Sequence, residues 1–387
     1  MPKIIFRPNP TPPPFVPPGP TLMPLTFRAL EDNVNLGFFY YCTTGQAQDA
    51  GLNIEYSIDN GLTWNPYQVS LSPESSTIIS LNRGEFVSFR GVNENLAYNV
   101  QSLESFQATK FYSTGSVSAS GDLTSLLNGI GGDIECPIAC FALMFANCTN
   151  LIQAPNLPSS ILGIGAYAQM FSGCTSLMQA PSLPATTLNL YCYTGMFSGC
   201  TSLMQAPSLP ATTLNSYCYS DMFSGCTSLT QAPSLPATTL SIYCYSRMFS
   251  DCTSLTQAPS LPATTLAAFC YTGMFSGCTS LSQAPSLPAM TLSDSCYLSM
   301  FSYCTSLTQA PSLPATTLVE DCYKGMFYGC SSLSHIEAMF TTEPSSLYTE
   351  NWVFGVAQNG TFVKNSQASW DVSGANGIPT GWTVVTQ

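Results

Sequence analysis

The sequence predicts a mainly β protein with short helical and irregular segments, in which an N-terminal β-sandwich precedes a repeat solenoid with capping segments. One 26-residue unit recurs eight times without insertion between residues 144 and 334. Such fixed-period self-similarity is typical of solenoids. Ahead of the repeats, short β-rich runs alternate with turn signals, which favours a sandwich.

Composition narrows the possible functions before any motif is considered. The 387 residues include 9 basic and 21 acidic side chains, for a net charge of −12. Nucleic-acid binding needs a basic surface that releases counterions, so nucleic acid is not an expected partner. The apolar runs are far shorter than the roughly 18 residues of a membrane helix, so we expect no membrane insertion. The first residues lack the apolar core of a secretion signal.

Residues 1–21 are predicted to form an anchoring arm. Nine of the first 20 residues are proline, which favours an extended polyproline II conformation with no core of its own. We therefore expect the arm to dock onto a partner. The expected contact residues are Pro12, Pro13, Pro14, Phe15, Pro17 and Pro18.

Residues 22–108 are predicted to form a small β-sandwich of immunoglobulin-like class. Strand-like runs cover residues 34–41, 52–58, 76–81 and 85–92. Asp59-Asn60-Gly61 separates two of them and is a strong hairpin signal, because both turn positions need a positive φ. Residues 109–143 then form a linker and the N-terminal cap of the solenoid.

Residues 144–334 form the predicted solenoid of eight repeats. A period of about 20 to 29 residues with spaced leucines is typical of leucine-rich repeats, in which each coil adds a short strand and stacks on its neighbour. The phenylalanine that follows each repeat methionine, the leucines typified by Leu229, Leu235 and Leu240, and two cysteine rows should point inward. Coils about 4.8 Å apart give a rod roughly 35 to 40 Å long. Pro233 and its equivalents fall within the expected strand and should shorten its pairing.

Residues 335–387 are predicted to close the other end of the solenoid. This segment contains Trp352, Trp370 and Trp382. A cap is needed there because a bare terminal coil exposes its core.

The cysteines admit three interpretations. One row runs from Cys148 to Cys330 and another from Cys192 to Cys322. Disulfides suit a secreted protein, but in-register rows lie near the coil spacing of about 4.8 Å, longer than a bridge requires. A metal site would rest on Cys136-x3-Cys140-x7-Cys148, which has no histidine nearby. We favour buried thiols that pack as small apolar groups, with no metal and no cofactor.

Catalysis is not expected. Between residues 159 and 318 the only charged side chains are Asp221, Arg247, Asp251 and Asp294, whereas a glycosidase needs paired carboxylates. His335 is the single histidine, so a histidine-based triad has little support. We therefore predict no catalytic residues and no enzymatic activity.

Two polar rows are candidate ligand contacts. If Cys218 points inward, then Tyr219 in an extended segment points outward, which predicts a stripe of phenol rings. The tyrosine row contains Tyr193, Tyr219, Tyr245, Tyr271, Tyr297 and Tyr323. The glutamine row contains Gln179, Gln205, Gln231, Gln257, Gln283 and Gln309. Such uncharged surfaces suit neutral glycans or a flat protein face, unless the rows only bond between coils and stabilise the stack.

The repeat resembles a known family. Met-Phe-Ser-Gly-Cys-Thr-Ser-Leu followed by Leu-Pro-Ala-Thr-Thr-Leu is similar to the BspA-like leucine-rich repeats of surface proteins from gut bacteria and their phages. The resemblance covers about residues 140–334, although the family usually has Ala-Phe in place of Met-Phe and isoleucine at the position of Cys192. The flanking residues 121–127 and 377–382 also resemble segments of such proteins. The resemblance implies adhesion or receptor binding, with no ligand specified.

These features lead us to expect a phage virion component, such as a head or tail fibre or decoration protein, assembled in the host cytoplasm. The arm would bind capsid or tail proteins, and the solenoid would bind a bacterial surface glycan or protein during host attachment. A homo-oligomer is compatible with this arrangement. The alternative is a bacterial cell-surface adhesin of the same repeat family.

Overall fold

The computed structural model describes residues 23–42, 47–102 and 105–387, without the side chains of residues 98–106. The predicted docking residues between Pro12 and Pro18 lie outside this range. The strands are β1 Leu25–Ala29, β2 Val34–Cys42, β3 Ile54–Ser57, β4 Asn65–Tyr67, β5 Ile79–Leu81, β6 Phe86–Gly91, β7 Ala97–Ser102, β8 Ser105–Ser113, β9 Val117–Ser120, β10 Leu151–Gln153, β11 His335–Ala338, β12 Thr361–Lys364 and β13 Thr383–Thr386. The helix α1 spans Ser125–Asn128. Among the described residues, no helix is long and apolar enough to cross a membrane.

Two sheets form the N-terminal sandwich. One has the strand order β10-β9-β1-β6-β3-β4 and the other β5-β2-β8-β7. Phe27 of the first sheet stacks on Phe111 of the second, with ring centroids 4.1 Å apart, and both rings are buried. Phe38 and Phe89 pack edge to face beside them. Alternation along the strands therefore directs these aromatic side chains into one core between the sheets.

The predicted hairpin is present between β3 and β4. These strands pair antiparallel, and Asn60 and Gly61 in their connection have φ values of 61° and 81°. Both residues adopt the left-handed conformation that the sequence signal requires.

The sandwich continues past residue 108, where the sequence placed its boundary. Strand β8 spans that position, and β9 pairs with β1. Strand β9 also pairs with β10 of the first coil, and Phe145 of that coil packs against Phe27 and Phe111. The sandwich itself therefore covers the N-terminal end of the solenoid core.

Each coil is bonded to the next along a turn segment, represented by residues 217–226. Every second residue donates its N–H to a carbonyl of the next coil, 25 residues ahead. The residues between them donate to a carbonyl three residues earlier in the same coil, as Cys226 does to Phe223. The coil-to-coil bonds run from Tyr217 to Ile242, Tyr219 to Cys244, Asp221 to Ser246, Phe223 to Met248 and Gly225 to Ser250, with N···O distances of 2.8–3.1 Å. Five backbone hydrogen bonds thus join one coil to its neighbour here.

The opposite side of the coil, represented by residues 229–240, contributes little pairing. Isolated bridges such as Gln231 to Gln257 and Thr239 to Thr265 are found there. Pro233 and Pro236 lie between these positions and have no N–H to donate. The prediction that proline shortens the strand is therefore confirmed.

The predicted inward positions are confirmed by burial. Leu229, Leu235 and Leu240 are at most 7% exposed, and each repeat phenylalanine is fully buried. Successive phenylalanine rings stack with centroids 5.4–5.8 Å apart, as in Phe145 on Phe171 and Phe301 on Phe327. The apolar core is therefore continuous from the sandwich through the coils.

The cysteine row from Cys148 to Cys330 adds a second link between coils. Cys226 Sγ donates to the carbonyl of Phe197 at 3.1 Å, and equivalent bonds recur along the row. The same carbonyl accepts the N–H of Cys200. A thiol fits because it is small and apolar and carries one weak donor.

The C-terminal segment forms a parallel sheet in the order β11-β12-β13 and covers the last coil. Trp352, Trp370 and Trp382 are at most 7% exposed. Each indole N–H donates to a backbone carbonyl, as Trp352 does to Gly377 at 2.9 Å. Large rings with satisfied N–H groups therefore close this end of the core.

We predict that the thiols from Cys136 to Cys330 are reduced and unreactive in the folded protein. All 16 are buried free cysteines, and burial raises the pKa of Cys200 to about 12, which keeps the thiol protonated at neutral pH. An aromatic disulfide reagent should label at most one or two of the 17 cysteines natively and all 17 after denaturation without reductant. Rapid native labelling of several repeat cysteines, or fewer than 17 thiols in the denatured chain, would contradict this.

Candidate binding surfaces of the solenoid

Four aromatic side chains form an outer stack on the turn side of the solenoid. Tyr191, Tyr217, Tyr243 and Phe269 occupy equivalent positions in successive coils and are half-buried. Their ring centroids are 4.7, 4.7 and 4.5 Å apart and their planes are nearly parallel. Partial burial and the neighbouring phenols raise the pKa of Tyr217, so its hydroxyl stays neutral.

The outer aromatic stack has defined ends. Gly165 precedes Tyr191 in the same row, and Ser295 follows Phe269. Neither residue supplies a ring, so the outward faces of Tyr191 and Phe269 have no aromatic neighbour in the row. The stack therefore presents ring edges along its length and one ring face at each end.

The predicted stripe of exposed phenol rings is wrong. Its members form an inner tyrosine row and are at most 2% exposed: Tyr193, Tyr219, Tyr245, Tyr271, Tyr297 and Tyr323. The exposed ring in each Tyr-Cys-Tyr unit is the first tyrosine, not the second. These six residues are core residues and not ligand contacts.

The error has a physical cause in the backbone. The prediction assumed an extended segment, in which neighbouring side chains point to opposite faces. In the structure Tyr217 and Asp221 have φ values of 61° and 55°, which is left-handed. The chain therefore turns at these positions, and Cys218 and Tyr219 both point inward. Glycines in the same two rows, Gly165 and Gly195, are the sequence signal for such positive φ values.

The predicted glutamine row is at the surface. Gln179, Gln205, Gln231, Gln257, Gln283 and Gln309 are all exposed. No charged residue occurs in residues 177–188 or in their equivalents up to residue 318. This side of the solenoid is therefore an uncharged surface of glutamine, serine and threonine.

Some hydroxyl rows bond between coils, which was the alternative interpretation of the polar rows. Thr201 Oγ1 donates to the carbonyl of Thr175 at 3.4 Å, and Thr256 does the same to Thr230. These long bonds add modestly to the stack. The threonine rows thus have a structural role that the sequence left open.

Three hydroxyls of the inner tyrosine row are buried without a hydrogen-bond partner: Tyr193, Tyr219 and Tyr245. Burial is the main cause that raises the pKa of Tyr219 well above its usual value, followed by the neighbouring Tyr193. By contrast, the hydroxyl of Tyr167 lies 3.3 Å from Cys136 Sγ. An unpartnered buried hydroxyl destabilises the fold, because it loses its hydrogen bonds to water.

Cys136 and Cys140 form a buried pair at the first coil. A hydrogen bond with the Cys140 thiol is the main cause that lowers the pKa of Cys136, and Ser159 Oγ lies 3.2 Å from the same sulfur. Burial raises the pKa of Cys140. Within the part of the chain that the structure describes, no three His, Cys, Asp or Glu side chains are grouped as metal ligands.

Four of the seven charged side chains in residues 144–334 form ion pairs. Arg247 and Asp221 lie in the same row, with Nε and Oδ1 3.2 Å apart. Near the last coil, Lys324 contacts Glu350 at 2.8 Å and Asp321 at 3.5 Å. Pairing reduces the charge that the outer aromatic stack and its neighbours present to a ligand.

A comparison with protein families identifies the repeat. The family model described as BspA type leucine rich repeat region matches residues 142–282 and 216–350, with six copies. The matches together cover more than half of the 387 residues. The chain belongs to the BspA-type leucine-rich-repeat family. No curated protein and no solved structure matches it.

The BspA-type family contains binding and surface repeat proteins, which agrees with the neutral outer surfaces described above. Cys192 and its equivalents in the later coils of this BspA-type chain are buried.

We predict that Tyr219→Phe leaves the BspA-type solenoid as stable as the wild type or stabilises it by up to about 1 kcal/mol. The substitution removes a hydroxyl that has no partner and keeps the ring. Chemical denaturation measures the free energy of unfolding. Tyr167→Phe is the matched control in the same row, and it should destabilise by about 1 kcal/mol because it removes the contact with Cys136. Equal losses in both variants would show that the Tyr219 hydroxyl does have a partner.

Proposed function

We propose that this protein is a non-enzymatic binding protein that contacts neutral glycans through the outer aromatic stack. The proposal rests on a half-exposed row of four aromatic rings on a surface with few unpaired charges. These rings belong to Tyr191, Tyr217, Tyr243 and Phe269. Aromatic rings contribute large contact areas with little loss of conformational entropy. Their hydroxyls add hydrogen bonds that suit sugar hydroxyls.

The spacing of the stack favours an extended ligand. Three successive ring spacings of 4.5–4.7 Å place four equivalent contacts in a line. A ligand with repeating units can use several of these contacts together, which raises its overall affinity. The exposed glutamine row offers a second surface of amide groups for the same class of ligand.

The N-terminal end is proposed to anchor the protein. A groove of about 570 Å³ on the sandwich is lined by Met23, Arg28, Trp64 and Phe86, and Met23 follows the predicted arm in the sequence. Aromatic side chains beside an arginine suit docking onto another protein. The polyproline composition of residues 1–21 supports the same role.

We further propose that the anchor joins the protein to capsid or tail proteins of a phage virion, with the solenoid directed at the host surface. A bacterial cell-surface adhesin is the alternative, which the repeat family supports equally. In both settings the sandwich end attaches the protein to the particle or cell that carries it, and the solenoid binds the ligand.

We predict that replacing Tyr217 and Tyr243 by alanine lowers glycan affinity about tenfold or more, since each ring contributes roughly 0.5 to 1.5 kcal/mol beyond its buried area. Binding is measured on an array of purified neutral bacterial polysaccharides and then by calorimetry. Tyr303→Ala is the matched control, because Tyr303 is 53% exposed and also has a left-handed φ but lies in another row. Failure of the wild type to bind any polysaccharide, or equal loss in the control, would contradict the proposed site.

We predict that the polypeptide comigrates with intact phage particles in a fixed ratio to the capsid protein. Particles are purified from the source lysate by density gradient and analysed by quantitative mass spectrometry. Recovery only from bacterial envelope fractions would reject the virion setting and favour the adhesin.

A further inference from the structure

Among the residues that the structure describes, the outer edge of the C-terminal cap sheet has no partner strand. The parallel sheet β11-β12-β13 continues the coil pairing, because Gln309 bridges to His335 at the start of β11. Strand β13 is the last in this order, and all four of its residues are exposed. Within the described residues, β13 pairs with β12 alone. The tryptophans close the apolar core but not this backbone edge.

The hydrogen bonds of β13 show which groups face outward. Thr383 N–H donates to Gly360 O at 2.9 Å and Gln387 N–H donates to Lys364 O at 3.0 Å, both toward β12. Because alternate residues of a strand bond to opposite sides, Val384 and Thr386 direct their N–H and C=O groups away from β12. Two donors and two acceptors therefore lie along the open edge.

Apart from its length of four residues, strand β13 lacks the features that usually block such an edge. Natural edge strands are protected by charged side chains, proline, bulges or short length. Thr-Val-Val-Thr contains no charged residue and no proline, and Val384 and Val385 are 41% and 45% exposed. The outer strand β4 of the sandwich, by contrast, contains Pro66, and the outer strand β5 has three residues.

We propose that β13 pairs antiparallel with β13 of a second copy of this chain across a two-fold axis. Val384 then lies opposite Thr386 of the second copy, and Thr386 lies opposite Val384 of the second copy. All outward N–H and C=O groups of both residues are therefore hydrogen-bonded. Val385 lies opposite its own equivalent at a non-hydrogen-bonded position, where side chains are closest. The two caps form one continuous six-stranded sheet.

A second copy fits this edge better than the outer strands β4 and β5. An isologous contact needs a surface that is complementary to itself, and this register gives four backbone hydrogen bonds and brings the valines of each copy into cross-strand contact. Pairing with β4 would lose a donor at Pro66. The contact is small compared with the roughly 1,200 to 2,000 Å² of a stable interface, so the dimer is weak and depends on concentration.

The pairing joins the two molecules cap to cap. The two solenoids then follow each other end to end, and the two sandwiches lie at the opposite ends of the dimer. A bivalent ligand surface follows, in which two outer aromatic stacks bind one polymer or one cell surface. Such linkage raises overall affinity by about 10² to 10⁴ without any new ligand contact. The dimer itself does not rest on the proposed glycan specificity.

Val385→Lys tests the proposal, because it places two like charges opposite each other at the two-fold axis. Sedimentation velocity of the full chain over about 1 µM to 1 mM is expected to show a monomer–dimer equilibrium for the wild type. The variant should weaken dimerisation about tenfold or more, and added salt should partly restore it. Thr380→Lys is the matched control, since Thr380 is exposed just outside β13, and it should dimerise like the wild type.

A cross-link provides a second and independent readout. Val385→Cys should form a covalent dimer under mild oxidation, because the two introduced thiols lie opposite each other. The wild type, in which all cysteines from Cys136 onward are buried, is treated in parallel. A wild type that stays monomeric to about 1 mM, or a dimer that neither Val385→Lys nor Val385→Cys affects, would overturn the proposal.

Discussion

The solenoid depends on one backbone arrangement, the alternation of hydrogen bonds along the turn segment of each coil. Residues such as Phe223 donate to the next coil, while their neighbours close turns within their own coil. Five bonds join adjacent coils here, each worth about 0.5 to 1.5 kcal/mol net. The opposite side, interrupted by prolines such as Pro233, adds isolated bridges. Stacking is therefore maintained mainly by the turn side, and the other side is free to vary at its exposed positions.

This arrangement also determines which side chains are inside. Left-handed residues at Tyr217 and Asp221 bend the chain so that Cys218 and Tyr219 both enter the core. The inner phenols then lose their hydrogen bonds, as at Tyr219, while thiols such as Cys226 gain a carbonyl partner. The same bend places Tyr217 at the surface, where identical rings from neighbouring coils stack. The exposed aromatic stack and the unpartnered hydroxyls of the core thus have one origin.

Much of the fold could be predicted from the sequence because the repeat reveals which positions are equivalent. Burial of Leu229, Leu235 and Leu240 follows from their recurrence, and the hairpin at Asn60 follows from its turn residues. Which tyrosine of each unit is exposed could not be predicted by alternation, since alternation holds only for an extended chain. Non-glycine residues in the left-handed conformation are uncommon, so only scattered glycines such as Gly165 indicated the bend.

The regular spacing of the coil-to-coil hydrogen bonds determines which insertions and deletions in the gene the fold tolerates. The coil-to-coil donors, as in residues 217–226, meet acceptors 25 residues ahead, so the loss or duplication of one complete 26-residue unit preserves these bonds. A single-residue insertion within a unit would instead misplace the donors of that coil. Recombination between similar units can therefore lengthen or shorten the rod in steps of about 4.8 Å. The sandwich and the tryptophan cap need no compensating change. The number of repeat units in the gene therefore sets the length of the solenoid.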